Sequence, residues 1–272
     1  SKIKLKCSKN HLRTIKKMKS PIRYADNHEF CIGALKKIIP IGSIVNTFLF
    51  YSGEIELALS STKRFVNCHT NKYPVYEFWK CMQENPKRIN EIIHSDSFKS
   101  FNNLRSFNIL QENWLSYNDP YMRAALFLFL NWTSDSGLIS SGKFQKLSSN
   151  PLRSKKVTNF KPRNFHLSLV EPSVSIFDSI ESKPSDQFIL APMGRFTYNL
   201  VEDGEQIGIE QTHLNHTEFY SFIEGIPHKW ILIYKNHKSV HNMYKKFNVI
   251  KIDRIGNVTN QNNCEDLIVT NF

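Results

Sequence analysis

The residue types that could do chemistry occur in few groupings along this chain. Cys68 is followed directly by His69, which suggests a nucleophile and its base. Both residues fall in an apolar run that predicts a strand, and adjacent strand residues point to opposite faces. A buried, structural Cys68 is therefore the better interpretation. His237 and His241 have the i, i+4 spacing of one helix face, but two histidines without a third ligand do not make a metal site. We expect no metal.

Other polar candidates have structural interpretations. Asp119 precedes Pro120 and an apolar run at 121–132, so we expect Asp119 to be a helix N-cap with Pro120 at the first helical position. His213 and His216 fall in a Thr-, Asn- and Glu-rich segment and are expected at the surface.

Basic residues are the strongest compositional signal. The net charge is +12, and nine Lys or Arg occur in residues 1–25 without any acid. A second acid-free block, 136–170, has seven basic residues: Lys143, Lys146, Arg153, Lys155, Lys156, Lys161 and Arg163. Such blocks attract phosphate backbones by releasing their counterions, so nucleic acid is the expected partner. The alternative is that some lysines reflect an AT-rich genome, since Lys, Asn and Ile are all abundant.

Aromatic residues surround the second basic block. Trp132, Phe144, Phe160 and Phe165 could stack on bases. Packing of a small lobe is the preferred interpretation, because aromatic side chains most often pack.

Length and cysteine usage bound the class of protein. The 272 residues suffice for one sizeable domain, or for a main domain with a smaller lobe. Five cysteines (Cys7, Cys31, Cys68, Cys81 and Cys264) show no CxxC spacing, and no apolar leader opens the chain. The apolar run 124–130 is far shorter than the ~20 residues that span a bilayer. We expect a soluble, intracellular protein (cytoplasm, nucleoid or virus-associated) with no membrane partner.

Hydrophobic periodicity predicts alternating helices and strands. Helices are predicted at 29–39, from residue 54, and at 73–83, 86–94, 121–132, 216–224 and 239–247, and strands at 43–50, 64–68, 187–191, 229–234, 249–253 and 267–270. The stretch 133–163 is expected to be extended or rich in hairpins. This alternation is typical of an open, mostly parallel α/β sheet.

Six segments, in the same order and spacing, resemble the Dam-like adenine-specific DNA methyltransferase family. They are residues 20–24 (SPIRY), 44–48 (IVNTF), 123–131 (RAALFLFLN), 136–144 (SGLISSGKF), 233–244 (IYKN and MY) and 265–272 (EDLIVTNF). The resemblance implies a Rossmann-like S-adenosylmethionine-dependent methyltransferase fold with an inserted target-recognition lobe. It also implies four parts: a basic arm (1–19), a first part of the core (20–112), the basic lobe (113–170) and a second part of the core (171–272).

The chain departs from this family where the methyl donor would bind. Phe50 and Ser52 stand at glycine positions of the family's turn after the first strand, where only a residue without Cβ permits close approach of the donor. Gly53 could be a one-residue slip of that turn. Cys68 stands where the family has an acid for the ribose hydroxyls. Residues 26–28 (DNH) replace a Gly-Gly-Lys.

The family's DPPY catalytic loop is also altered. The matching strand runs into Ala191, Pro192, Met193 and Gly194, which lack the acid and the ring that hold a flipped adenine. Residues 118–121 (NDPY) look superficially like this loop but lack one proline and follow no apolar strand.

These departures predict a catalytically inactive member of the family that binds nucleic acid, with DNA favoured, and needs no cofactor. It would be a non-catalytic or structural subunit beside a second chain, most simply an active methyltransferase. One alternative is an active adenine methyltransferase that binds S-adenosylmethionine in a divergent pocket. Another is a structural component of a nucleoprotein or viral assembly. Residues 196–198 are the first expected docking site for a partner chain.

Overall fold

The computed structural model describes residues 18–48, 50–148, 150–196 and 214–272. Its helices are α1 Ile32–Ile38, α2 Glu54–Ser60, α3 Tyr73–Glu84, α4 Pro86–Ile93, α5 Asp96–Ser100, α6 Leu104–Asn113, α7 Pro120–Trp132, α8 Pro151–Thr158, α9 Ile176–Glu181, α10 His216–Ile223 and α11 Lys238–Met243. Its strands are β1 Ile44–Thr47, β2 Phe65–Thr70, β3 Phe165–Leu169, β4 Phe188–Gly194, β5 Trp230–Lys235, β6 Asn248–Ile252, β7 Val258–Thr259 and β8 Asp266–Thr270.

The strands form one mixed sheet in the order β3-β2-β1-β4-β5-β8-β6-β7. The five strands from β3 to β5 are parallel, and β8 runs antiparallel between β5 and β6. The order reverses between β1 and β4, which makes the carboxyl ends of these two strands a topological switch point. In open α/β sheets that crevice is the usual ligand site.

Both faces of the central strands are buried, which explains their nearly continuous apolar sequence. Leu190, Ile231 and Ile233 pack on the side of helices α1 to α7. Ile189 and Leu232 pack on the opposite side, against helices α9 to α11. The α/β expectation is confirmed at this coarse level: an eight-stranded, mostly parallel sheet lies between helices.

One expectation about local structure is wrong. The stretch 133–163 holds helix α8 in place of an extended or hairpin-rich segment, and among its described residues the one bridge is the isolated pair of Ser134 and Phe144. In addition, β3 lies within the predicted lobe 113–170 yet pairs with β2 at the edge of the main sheet. The apolar side of α7 also joins the main core. The division into parts stays a prediction.

Within the described residues, no helix has the length and apolar character needed to cross a membrane.

Candidate functional site

Three of the segments that carry the family resemblance meet at the side chain of Asn131. Its Nδ2 donates to the backbone oxygens of Arg23 at 2.8 Å and Gly137 at 2.6 Å, and its Oδ1 accepts from the Arg23 N–H at 2.8 Å. Tyr51 also donates its hydroxyl to the Gly137 oxygen at 2.8 Å. A Cβ on Gly137 would lie 2.0 Å from the Arg23 oxygen, so only glycine fits there. Helix α7 thus anchors the segment before α1 beside the turn after β1.

The turn after β1 is where the resemblance implies a site for the methyl donor. Aromatic side chains of the protein itself occupy this turn. Phe50 is buried, with its ring centroid 6.3 Å from that of Trp79. Tyr51 is buried edge-on to Tyr24 at 5.3 Å. The backbone oxygen of Ser52 accepts a hydrogen bond from the Ser20 hydroxyl. The turn is therefore filled by contacts within the chain.

Gly53 has a packing role in this turn. Its φ of +67° is in the left-handed region, and a Cβ there would lie 2.8 Å from the Trp79 ring. Both the conformation and the space therefore require glycine. The close approach that Gly53 permits is to an indole of the same chain.

Cys68 is fully buried at the position matched to the family's ribose acceptor. Burial raises the pKa of the Cys68 thiol well above its usual value, and the nearby Glu56 carboxylate raises it further. The neutral thiol is therefore the stable form, and it is neither a nucleophile nor a strong acceptor. The expectation that Cys68 is buried is confirmed.

His69, beside Cys68, belongs to a polar network on the other face of the sheet. Its Nε2 is 3.0 Å from Oδ1 of Asn46, and Asn46 donates Nδ2 to Gln187 at 2.7 Å. The His69 ring stacks on Phe48 with centroids 5.0 Å apart. Burial lowers the pKa of His69 to about 4, and the positive charge of Lys183 adds to this. His69 is thus neutral at physiological pH.

The strand end matched to the family's catalytic loop is tied to distant parts of the chain by His28. His28 Nδ1 lies 2.9 Å from Oδ1 of Asp266, and its Nε2 accepts the Gly194 N–H at 3.1 Å. Accepting that bond requires Nε2 to be unprotonated, so the Nδ1 proton is donated to Asp266. Asp26 adds an ion pair to Arg195 at 2.9 Å. Asp26 and His28 therefore hold the end of β4 in place.

Asp266 is the buried centre of this arrangement. Lys235 Nζ is 3.1 Å from the same Oδ1 that His28 contacts. Burial alone would raise the pKa of Asp266, but the hydrogen bond from His28 and the positive charge of Lys235 bring it below its usual value. Asp266 is therefore an ionised, structural carboxylate.

At the matched catalytic positions themselves, Ala191, Met193 and Gly194 are buried and Pro192 is half-buried. Ala191 and Met193 belong to the core beneath helices α9 to α11. A Cβ on Gly194 would lie 3.8 Å from the Tyr24 hydroxyl oxygen. Apolar packing thus accounts for two of the four positions.

The basic residues of the second block lie on and around α8. Lys143, Lys146, Lys155, Lys161 and Arg163 are exposed, whereas Arg153 and Lys156 are half-buried. Within the described ranges, none of the seven forms an ion pair with a carboxylate. Burial lowers the pKa of Lys156, although Glu54 nearby raises it. The other six form no ion pair within the described ranges, although the positive charge of Lys143 helps to lower the pKa of the nearby Asp135.

The four aromatic residues near this block pack, as preferred from the sequence. Trp132, Phe160 and Phe165 are buried, and Phe144 is half-buried with its ring 5.6 Å from Phe107. These rings belong to or contact the main core, and Trp132 also lines a cavity beside α8.

The remaining sequence candidates have mixed outcomes. Asp119 caps α7 by accepting the Tyr121 N–H at 2.9 Å, with Pro120 first in the helix, as predicted. His237 caps α11, and His241 contacts Asn236. No group of three or more His, Cys, Asp or Glu residues in the described part of the chain could hold a metal.

The expectation that His216 is exposed is wrong, and His213 lies outside the described residues. His216 is buried in the first turn of α10, with Nδ1 3.3 Å from the Tyr234 hydroxyl. Phe196 stacks on both His216 and His237, at 4.6 and 5.3 Å, so it is half-buried. The remainder of the segment 196–198 lies outside the described residues.

Two features of the structure could not be predicted from the sequence. His28 and Asp266 are 238 positions apart, and neither belongs to a motif that predicts the contact. A cavity of about 440 Å³ lies between α4, α5, the end of α7 and the start of α8. The basic block was the sequence signal closest to that cavity.

No protein-family model matches this chain, and no curated protein does.

Proposed function

We propose that this protein is a catalytically inactive, adenine-DNA-methyltransferase-like protein that binds nucleic acid as a non-catalytic subunit of a larger complex. The observation that carries the proposal is the basic surface around α8, where six cations have no carboxylate partner among the described residues. Phosphate groups would neutralise that charge and release counterions.

The sheet supports the methyltransferase-like part of the proposal. The order β3-β2-β1-β4-β5, with one antiparallel strand between β5 and β6, fits the Rossmann-like fold that the resemblance implies. Contact among three of the resembling segments also supports it, because the Asn131 side chain satisfies backbone oxygens of the other two segments at Arg23 and Gly137.

The absence of catalysis is supported at three separate places. Phe50 and Tyr51 fill the turn after β1, Cys68 offers a buried neutral thiol, and Ala191 belongs to the core. Repair of one place would leave the other two unable to hold donor or adenine. We therefore expect Ala191→Asp alone to confer no methyl transfer.

Calorimetry with S-adenosylmethionine and methyl transfer to duplex DNA test the catalytic part. We expect no saturable donor binding at micromolar protein and no labelled DNA. Donor binding or transfer would favour the active enzyme with a divergent pocket.

Fluorescence anisotropy with a duplex across salt concentrations tests nucleic-acid binding. The logarithm of affinity should fall linearly with the logarithm of salt, by about 0.9 for each phosphate contacted. Joint replacement of Lys155, Lys161 and Arg163 by Ala should reduce that slope by up to about 2.7. A matched variant with Lys229, Lys238 and Lys245 replaced by Ala has the same charge change away from α8 and should keep the slope. Equal effects of the two variants would remove α8 from the interface.

The partner chain is tested with protein from its native source. Size-exclusion with light scattering should give a mass well above the 31.8 kDa of this chain, with a second protein co-purifying. A monomer without any companion would instead favour a solitary nucleic-acid-binding protein.

A further inference from the structure

The cavity beside α8 has an apolar floor and a cationic rim. Its volume is about 440 Å³, within the range of about 300–1,000 Å³ that is usual for ligand sites. Phe98, Phe129 and Trp132 form the floor and are each almost fully buried. Lys99 and Arg153 are the cations of the lining, which itself contains no carboxylate among the described residues; Lys99 is paired with Asp96 outside the lining at 2.6 Å.

Arg153 is the group in this lining whose charge is least compensated. It is half-buried, with its guanidinium carbon 5.9 Å from the centroid of the Trp132 ring. Burial lowers the pKa of Arg153, and the positive charge of Arg23 lowers it further. Its one hydrogen bond in the described residues is from Nη1 to the Ser148 oxygen at 3.3 Å. A partly desolvated cation beside a like charge is stabilised by an anion, and guanidinium groups bind phosphate well.

The walls of the cavity are held in fixed positions. Nδ1 of His94 donates to the Asn90 oxygen at 2.7 Å, so its Nε2, in the neutral ring, accepts from the Ser154 hydroxyl at 2.9 Å. This bond connects the end of α4 to α8. Asn102 exchanges two hydrogen bonds with the Leu147 backbone, at 2.9 and 3.1 Å. The cavity is therefore formed before any ligand binds.

An apolar floor beneath a guanidinium is the combination that holds an unpaired base together with its phosphate. Flat bases bind apolar surfaces and the planes of Arg side chains, while the phosphate needs a cation. A duplex keeps its bases stacked inside and would offer this cavity only phosphates. The chemistry on the cavity surface thus selects a single-stranded or unstacked nucleotide.

We propose that the cavity bordered by Phe98, Trp132 and Arg153 binds one unpaired nucleotide of a DNA or RNA strand, with its base on the apolar floor and its phosphate at Arg153. The inference rests on the proposed function and deepens it. The wider basic surface binds the backbone, and the cavity adds a preference for an exposed base.

Binding of labelled oligonucleotides to the full chain tests this site. The probes are single-stranded oligo(dT), oligo(U), an oligomer of abasic residues with equal phosphates, and a duplex. We expect both base-bearing strands to bind at least about fivefold more tightly than the abasic strand, given the usual strength of base stacking. Comparison of oligo(dT) with oligo(U) distinguishes DNA from RNA as the source of the nucleotide. Equal binding of base-bearing and abasic strands would overturn the proposal.

Two variants with matched controls locate the effect. Ser148→Phe adds bulk at the cavity without changing charge. It should abolish the preference for base-bearing strands and leave duplex binding within about twofold. The control Ser116→Phe, at an exposed site away from the cavity, should change neither property. Arg153→Ala should weaken oligo(dT) binding more than Lys155→Ala, which removes the same charge from an exposed position of α8. Thermal unfolding confirms that each variant folds. If Ser148→Phe still prefers base-bearing strands, the proposal is overturned as well. If the protein prefers base-bearing strands but does not bind duplex at all, only the proposed binding of the nucleic-acid backbone by the basic surface is overturned.

Discussion

The carboxyl edge of the sheet and the surface around α8 differ in how their polar groups are satisfied. At the edge, His28, Asp266 and the Gly194 N–H bond one another, and the turn after β1 is filled by Phe50 and Tyr51. Around α8, the cations lack acidic partners in the described residues. In an α/β protein the first place is where a ligand is expected. In this protein, the basic side chains that form no ion pair among the described residues are instead at the second.

This difference predicts opposite consequences for substitutions in the two regions. Changes at the sheet edge should cost stability, since His28, Asp266 and Gly194 are joined there by buried hydrogen bonds. Changes around α8 should cost binding and leave stability almost untouched.

The largest effect is expected for Asp266→Ala. It leaves His28 buried without its carboxylate and removes one of the two carboxylate partners of Lys235, which keeps Glu265; loss of one partner of a buried pair costs about 3–5 kcal/mol of the free energy of unfolding. Urea denaturation measures this change. Asp96→Ala, which removes an exposed carboxylate paired with Lys99, is the control and should lower the free energy of unfolding far less, because water screens an exposed ion pair. Similar losses of stability in the two variants would contradict the conclusion that the buried contacts of Asp266 stabilise the carboxyl edge of the sheet.

A pH effect is expected from His69. Its folded pKa of about 4 lies below the usual value of 6.5, so between these values the unfolded chain binds the proton more readily. Stability from this residue is complete above pH 6.5 and is lost as pH falls toward 4, by up to about 3 kcal/mol. His69→Gln, which does not titrate, should flatten this part of the stability profile. If the dependence of stability on pH is unchanged in His69→Gln, a group other than His69 causes the loss of stability at low pH.

A smaller loss, about 2 kcal/mol, is expected for Gly53→Ala. Its positive φ and the 2.8 Å approach of Trp79 both oppose a Cβ. Gly33→Ala in α1 is the matched control, because a Cβ there has nothing nearer than 3.9 Å and alanine favours the helix. The control should be neutral or slightly more stable. If Gly53→Ala matched it, Gly53 would have no packing role.

The smallest effect on stability is expected around α8. Lys155→Ala, Lys161→Ala and Arg163→Ala should each change the free energy of unfolding by less than about 0.5 kcal/mol, because these side chains are exposed. Urea denaturation of the same triple variant used for DNA binding checks this. If the triple variant is much less stable, its weaker DNA binding would result from unfolding and not from lost phosphate contacts.

Sequence reasoning succeeded where hydrophobic periodicity determines structure. The buried strands β4 and β5 and the apolar helix α7 were predicted close to their true limits. Edge strand β3 was missed because His166 and Leu169 are exposed, which breaks the apolar run. Helix α8 was missed because Val157 is its one fully buried residue, so it has almost no apolar face.

The candidate site was harder to predict than the fold. The basic block was visible as composition, but the cavity beside it needs α4, α5 and α7, whose residues are distant in sequence. The contact of His28 with Gly194 joins residues 166 positions apart, and no local pattern specifies it. The buried position of His216 depends likewise on Tyr234 of a later strand.

The bonds of Asn131 have a consequence for the order of folding. The Arg23 backbone finds its partner 108 residues later in the chain, so it cannot dock until α7 has been synthesised and formed. Contacts of such separation are slow to form, because a long loop must close first. We therefore expect residues 20–24 to acquire hydrogen-exchange protection after α7 does during refolding, although ribosomes make them first.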